Sequence, residues 1–372
     1  MEYRRLGRSG FEISAISLGT EYLLHQESEA VARTLHAAID RGVNYFDLFW
    51  PQPEFRDRCG AALRGSRSRV HLAAHLGAAM NGEQYEASRD VVHSERCFHD
   101  FLSRYKTDYV DVLLLHNCDP QEDYSELMRS SGLMDLARRL KAQGKARIIG
   151  FSGHTVATAL QAVRQGEIDM IMFPINLVGR AIAGKQDLYR ACVQENVGLV
   201  AMKPFAGGKL LLETSTVAVD DWQTGGRMLA VKHNAAATPV RCLAYVLEQP
   251  GVATVVPGCK DVAEVEAAQA FWEANETEKD YRTALDGLEY VSGECVYCNH
   301  CLPCPSLIDI GQTIRLMELS RREGLKVEIR AAYAALEHHA SECIECGQCV
   351  ERCPFGAHTV DLVLRAAKVF GV

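Results

Sequence analysis

ARIIGFSGHTVATALQAVRQGEIDMIMFP, residues 146–174, reads as two short apolar strands joined by a helix. ARIIGFS (146–152) and IDMIMFP (168–174) are continuous apolar runs rather than alternating ones, as expected of strands buried on both faces. The same unit recurs on either side. Upstream, AISLGT (15–20) precedes ESEAVARTLHAAID (28–41), whose apolar residues fall at helical spacing before Gly42 stops the run. NYFDLF (44–49) precedes a short helix near 55–64, and VHLAAHL (70–76) one near 88–105. VDVLLLH (110–116) precedes a helix near 131–143. Downstream, VGLVAMKP (197–204) precedes TPVRCLAYVLEQ after a longer insert, and ATVVPG (253–258) precedes DVAEVEAAQAFWEAN. Eight strand–helix units in this length predict a closed (β/α)8 barrel, entered through a hairpin of EYRRL and FEISAI. An open doubly wound sheet competes, but no G-x-G-x-x-G follows the first strand.

The last quarter changes character. Cys295, Cys298, Cys301 and Cys304 form one run, and Cys343, Cys346, Cys349 and Cys353 a second, each followed by proline. The second run has the spacing C-x2-C-x2-C-x3-C-P; the first has two residues, not three, before its last cysteine. Paired C-x2-C knuckles also bind structural zinc, and that reading stays open. DIGQTIRLMELSRREG and KVEIRAAYAALEHHA between the runs read as helices that pack the tail onto the barrel, and TVDLVLRAAKVF as a closing helix. The predicted division is a barrel over 1–280 and a small α-helical domain over 281–372.

Composition narrows the function classes. A net charge of -8 and a pI near 5.9 argue against nucleic-acid and membrane-surface roles. No apolar run approaches the ~20 residues that span a bilayer. The six cysteines outside the two runs are scattered singly, as in a reducing cytoplasm.

Barrel chemistry gathers at the C-terminal ends of the strands. Those positions carry Glu21, Asp47, His75, His116, His154, Asn176, Lys203, Gly258 and Lys260. Polar groups at nearly every strand end predict a site, with Asp47, His75, His116 and His154 as its catalytic set. Glu21, Asp47 and the three histidines are also a candidate ligand set for zinc or non-haem iron.

The tail resembles the two-cluster ferredoxin module over about 285–372. That resemblance implies two [4Fe-4S] clusters with crossed ligation: Cys295, Cys298, Cys301 and Cys353 on one, Cys343, Cys346, Cys349 and Cys304 on the other. Residues 1–275 resemble the aldo-keto reductase family, on YRRLGRSGFEISAISLGT, NYFDLF, KTDYVDVLLLH, ARIIGFSGHT and GVATVVPG. This implies a TIM barrel, NAD(P) lying across its mouth, hydride transfer to a carbonyl, and an Asp, Tyr, Lys and His catalytic set. Asp47 and His116 match two of the four. His75 stands at the lysine position, and LFWPQPEFRDRCGAAL (48–63) holds no tyrosine, leaving Trp50 or Phe55 in its place. With Asp47 beside it, His75 would keep its imidazolium form, so His75 or His116 would serve as general acid.

For the cofactor, Ser152 and Asn176 match nicotinamide contacts. Lys203, Gly207, Gly208, Lys209, Gly258 and Lys260 lie in loops suited to a pyrophosphate. The family's glutamine reads here as Met172. The expectation is a cytoplasmic oxidoreductase that joins cluster electron transfer to redox chemistry on a small organic substrate, with a ferredoxin- or flavodoxin-type electron carrier as partner. Two alternatives stay open. One is acid–base or metal-assisted lyase or hydrolase chemistry with structural clusters; the other is a non-catalytic electron-transfer scaffold.

Overall fold

The computed structural model describes residues 1–371 except 120, 183, 213–214, 220–228, 234–236, 286–288, 293–294, 296, 298, 300 and 354–355. In chain order the strands are β1 (Tyr3–Arg5), β2 (Glu12–Ser14), β3 (Leu18–Gly19), β4 (Tyr45–Leu48), β5 (His71–Leu76), β6 (Ala78–Asn81), β7 (Gln84–Ala87) and β8 (Val110–Leu115). Then come β9 (Ala146–Ser152), β10 (Met170–Pro174), β11 (Gly198–Met202), β12 (Ser215–Val219), β13 (Leu229–His233), β14 (Val252–Val256) and β15 (Glu289–Ser292).

Strands β3, β4, β5, β8, β9, β10, β11 and β14 run parallel in that order. Parallel bridges Ile16 to Val255 and Gly19 to Gly258 close the first onto the last. The eight apolar runs of the sequence are therefore the staves of one barrel. Strands β1 and β2 form the opening hairpin, whose Leu6 and Ile13 join the inner core.

Period-two alternation divides each stave between two cores. On β8, Val112 and Leu114 point inward with Ala73, Ile148, Met170 and Val200, whereas Leu113 and Leu115 face the surrounding helices. The helices are α1 (Ser28–Asp40), α2 (Pro53–Leu63), α3 (Val91–Tyr105), α4 (Gln121–Met128), α5 (Leu133–Ala142), α6 (Val156–Gln165), α7 (Lys185–Gln194), α8 (Pro239–Leu247), α9 (Val262–Gln269) and α10 (Glu276–Lys279). Each fully buried Leu, Ile or Val on these shared faces contributes about 1.5–3 kcal/mol, so the barrel wall is held from both sides.

Two departures from the sequence reading matter. A hairpin, β6–β7, is inserted between β5 and α3, a stretch to which the sequence reading assigned no element. Its two-residue turn, Gly82–Glu83, uses the positive φ of Gly82 (60°). The insert after β11 contributes β12 and β13, which pair with β15 in a separate antiparallel sheet.

The tail carries α11 (Ile310–Glu323), α12 (Val327–Ala334), α13 (Gln348–Glu351) and α14 (Thr359–Phe370). Ile308, Ile310, Ile314, Met317, Tyr333, Val363 and Phe370 form a second core, distinct from the barrel's. Three of these helices match the expected segments. Among the described residues no helix is long and apolar enough to cross a membrane.

Candidate active site at the barrel mouth

The inward parity of the staves carries three polar groups to one place. Tyr45 faces inward on β4, so Asp47 does too, one step nearer the C-terminal end. Ala73 faces inward on β5, which aims His75 the same way. Val112 and Leu114 precede His116 on the same face of β8. All three side chains are buried.

They form a continuous hydrogen-bonded chain. His75 Nε2 lies 2.7 Å from Asp47 Oδ1, and His75 Nδ1 lies 2.8 Å from His116 Nδ1. The outer nitrogen, His116 Nε2, bonds the Tyr85 hydroxyl. Tyr85 comes from β7, in the inserted hairpin, and the sequence reading missed it. Trp50 packs edge to face 5.6 Å from the Tyr85 ring, and Phe49 lies against His75 and His116. Phe55 is buried in α2 and belongs to the outer core.

The proton order of this chain follows from its ends. Asp47 accepts from His75 Nε2–H. If His75 is neutral, its Nδ1 is a lone pair, His116 Nδ1–H donates to it, and His116 Nε2 accepts from the Tyr85 hydroxyl. Adding one proton makes His75 an imidazolium beside Asp47 and reverses both outer bonds. His116 Nε2–H then donates to the Tyr85 oxygen, and the phenol hydrogen turns away from His116.

A second chain lies across the mouth. His154 Nδ1 is 2.7 Å from Asp119 Oδ2, and Lys203 Nζ is 2.8 Å from His154 Nε2. Asp119 also accepts from the backbone of His154 and Thr155, which fixes its carboxylate. The ammonium can only donate, so His154 is neutral with its proton on Nδ1. Asp119, a second residue the sequence reading did not single out, sets that tautomer. Lys203 sits at φ 55°, a conformation that costs a non-glycine residue about 1–3 kcal/mol and clusters at functional sites. Glu21 completes the rim. Desolvation raises its carboxyl pKa, against the pull of Lys203 and Arg315.

The five rim groups Glu21, Asp47, His75, His116 and His154 do not form a metal cage among the described residues; the imidazole nitrogens of the three histidines are used by one another, by Tyr85, by carboxylates and by Lys203.

Several residues expected to contact a nicotinamide cofactor have partners within the protein. Asn176 spends its amide on Lys203 O and on the Gly179 N–H. Lys209 is buried, with Nζ 2.8 Å from the Cys295 carbonyl oxygen, so its charge is turned to the tail. The Tyr22 ring covers Gly258, where a Cβ would meet it at 2.7 Å. Lys260 pairs with Glu264 on the surface. Ser152 is buried at the end of β9, and Gly207 and Gly208 sit at positive φ in the loop after β11, with open space beside Gly208.

The cysteines suit iron–sulfur clusters. Cys304, Cys343, Cys346 and Cys349 line one cavity, together with Cys301 and walls of Ile308, Ile310, Val360 and Val363. Converging thiols in an apolar pocket are the donor set such a cluster requires. Cys295 and Cys353 lie within electrostatic reach of each other. Cys298 is outside the described residues.

The tail sits on the C-terminal face of the barrel, over the mouth. The contacts that follow each come from a segment leaving a stave's C-terminal end. Gln84 Oε1 accepts from the Cys304 N–H at 2.8 Å. Lys209 reaches Cys295, and the Arg315 guanidinium of α11 lies over the Tyr22 ring at 5.0 Å. Glu83, in the hairpin turn, approaches Glu337 and His338 within 4.8 Å.

Comparison with known proteins agrees with both halves. The sequence model of the aldo/keto reductase family matches residues 15–288, and that of the 4Fe-4S dicluster domain matches 292–357. The uncharacterized oxidoreductase YqkF of Bacillus subtilis is 24% identical over 285 residues, 71% of this chain and 89% of its own length. L-galactose dehydrogenase of Arabidopsis thaliana is 26% identical over 289 residues, 72% of this chain and 86% of its own. The holo form of aldo-keto reductase AKR11C1 from Bacillus halodurans superposes with a TM-score of 0.63 at 22% identity, over 77% of this chain and 96% of that one. At that identity the likeness speaks for the fold.

Proposed function

Because the chain belongs to the aldo/keto reductase family and carries a 4Fe-4S dicluster domain behind its barrel, we propose that this oxidoreductase interconverts a carbonyl and an alcohol at the barrel mouth with electrons carried singly through the tail. Cys295, Cys298, Cys301 and Cys353 would hold one [4Fe-4S] cluster, and Cys343, Cys346, Cys349 and Cys304 the other. Bound there, the two clusters supply one-electron steps that sum to the pair a carbonyl takes up.

The protein's own groups handle the proton at oxygen. In the proton-loaded state of the first chain, Asp47 stabilises the His75 imidazolium and His116 donates to Tyr85. The phenol then gives its hydrogen to the substrate oxygen, and the proton stored on His75 refills it through His116. In the opposite direction, the neutral chain takes a proton from an alcohol through Tyr85. A two-electron reduction also needs a second proton, at carbon, taken from the medium. Lys203, fixed by His154 and Asp119, offers a positive edge where negative charge develops on the substrate oxygen. No step uses a nicotinamide, since Lys209, Asn176 and Gly258 are committed elsewhere.

One observation carries this reading: the acid at the end of the chain, Tyr85, is the sequence neighbour of Gln84, which holds the backbone of the cluster cysteine Cys304. Proton delivery and electron delivery meet on one hairpin. A cytoplasmic setting and a ferredoxin- or flavodoxin-type carrier complete the reading, supported by the exposed edge of the cluster cavity at Cys346 and Ile344. The test is to supply anaerobic holoprotein with an aldehyde and ketone panel and either a reduced one-electron carrier or NAD(P)H. Turnover with the carrier supports the reading. Turnover with NAD(P)H alone, the clusters staying oxidised, refutes it.

A further inference from the structure

Arg315 points from the tail's helix α11 toward the mouth and has no hydrogen-bond or ion-pair partner among the described residues. The face of the Tyr22 ring lies 5.0 Å from the guanidinium carbon. A half-buried guanidinium carries five donors, and such groups are normally satisfied. The adjacent carboxyl, Glu21, feels Arg315 and Lys203 electrostatically but lies beyond the 4.0 Å of an ion pair with either. Desolvation raises the Glu21 carboxyl pKa, while Lys203 and Arg315 pull it down.

Tyr22 holds the guanidinium in place. Its ring is seated on Gly258, the one residue type that leaves room for it, since a Cβ there would come within 2.7 Å of the ring. The stack Gly258–Tyr22–Arg315 thus spans from the last barrel strand to the cluster domain. It places a planar, bidentate donor near Glu21, whose carboxyl also feels Lys203 and His154.

We infer that the substrate is a small organic anion, and that Arg315, a residue of the cluster domain, grips its carboxylate or phosphate group while the reacting carbon lies between Tyr85 and Lys203. This deepens the proposed carbonyl–alcohol chemistry and rests on it for the reacting group. The anion site itself stands on Arg315, Tyr22 and Lys203. A fork of parallel N–H donors matches a carboxylate or a phosphate, and the Tyr22 face lowers the entropy lost on binding. It follows that the barrel alone has an incomplete pocket.

The experiment is calorimetric titration of anaerobic holoprotein with pyruvate, methyl pyruvate and inorganic phosphate. Wild-type protein is expected to bind pyruvate or phosphate in the millimolar range or tighter, and methyl pyruvate more weakly than pyruvate. Preference between the two anions identifies which group the fork takes. Arg315→Gln should weaken anion binding roughly tenfold to a hundredfold, the range of a lost charged hydrogen-bond pair. Arg315→Lys should recover part of it, keeping the charge without the fork. Tyr22→Leu, which keeps the charge but frees the side chain, gives a second route to the same loss should Arg315→Gln lose its clusters. Iron and sulfide content, read in each sample, separates the two ideas: cluster loss or inert clusters would defeat the redox reading and leave the anion site standing. Equal anion affinity in wild type and Arg315→Gln would overturn the inference. So would equal binding of pyruvate and methyl pyruvate, or no binding of either anion by the wild type.

Discussion

The Nδ1 atoms of His75 and His116 lie 2.8 Å apart, so one carries a proton and the other a lone pair. That single shared proton ties Asp47 at the inner end of the chain to Tyr85 at the outer end. The state of Tyr85 therefore depends on a carboxylate it does not touch.

Tyr85→Phe removes the last donor and keeps the ring that packs against Trp50. Turnover should fall about 100- to 10,000-fold, the range for losing a general acid. Iron and labile sulfide should stay at wild-type levels. Steady-state kinetics with metal analysis on the same sample checks both.

Asp47→Asn should slow turnover by about a hundredfold or more while Tyr85 stays in place, because the His75 imidazolium loses its carboxylate. Unchanged turnover in this variant would mean that the chain is structural.

Much of this was legible beforehand, and the reason is parity. Asp47 and His75 lie near the ends of apolar staves and His116 just past one, all with the inward phase, so reading strand ends was enough to bring them together. Tyr85 escaped because it sits on an insertion rather than a stave. The Asn81-Gly82 pair between short runs was a usable hairpin signal, but nothing local says that the hairpin folds back over the mouth. Asp119 and Arg315 escaped for a related reason: their partners, His154 and Tyr22, are distant in sequence. Lys209 shows the reverse case. A lysine in a glycine loop read as a phosphate ligand, yet tertiary packing turns it to the Cys295 carbonyl. Neither a spacing nor a periodicity encodes that choice.

Gln84→Leu leaves the Cys304 N–H without its acceptor. An unmet group of this kind costs about 1–3 kcal/mol, and here it joins two domains. Amide exchange should quicken in 78–87 and 301–306 together, with the barrel staves unchanged, as hydrogen-exchange mass spectrometry would register.

Glu21 is a stability liability near neutral pH. Its folded-state pKa is raised above the ordinary 4.5, first by desolvation. The folded protein therefore binds the proton more tightly than the unfolded chain, and stability falls as pH rises through the folded-state value. Glu21→Gln should raise the unfolding midpoint at neutral pH, and the gain should vanish below pH 4.5. Denaturant titration of both proteins at two pH values tests the sign.

Cys346→Ser should remove one cluster and leave the other, reducing iron from about eight to about four atoms per chain. Loss of all the iron would mean that the two sites assemble as one.

The most direct test is rapid-mix, freeze-quench electron paramagnetic resonance of holoprotein whose clusters have been reduced beforehand, mixed with its carbonyl substrate. Loss of the reduced-cluster signal at the rate of alcohol formation in wild type, and slowing of both by the same factor in Tyr85→Phe, is the predicted result. Alcohol formed while the clusters stay reduced, or cluster oxidation indifferent to Tyr85, would contradict it.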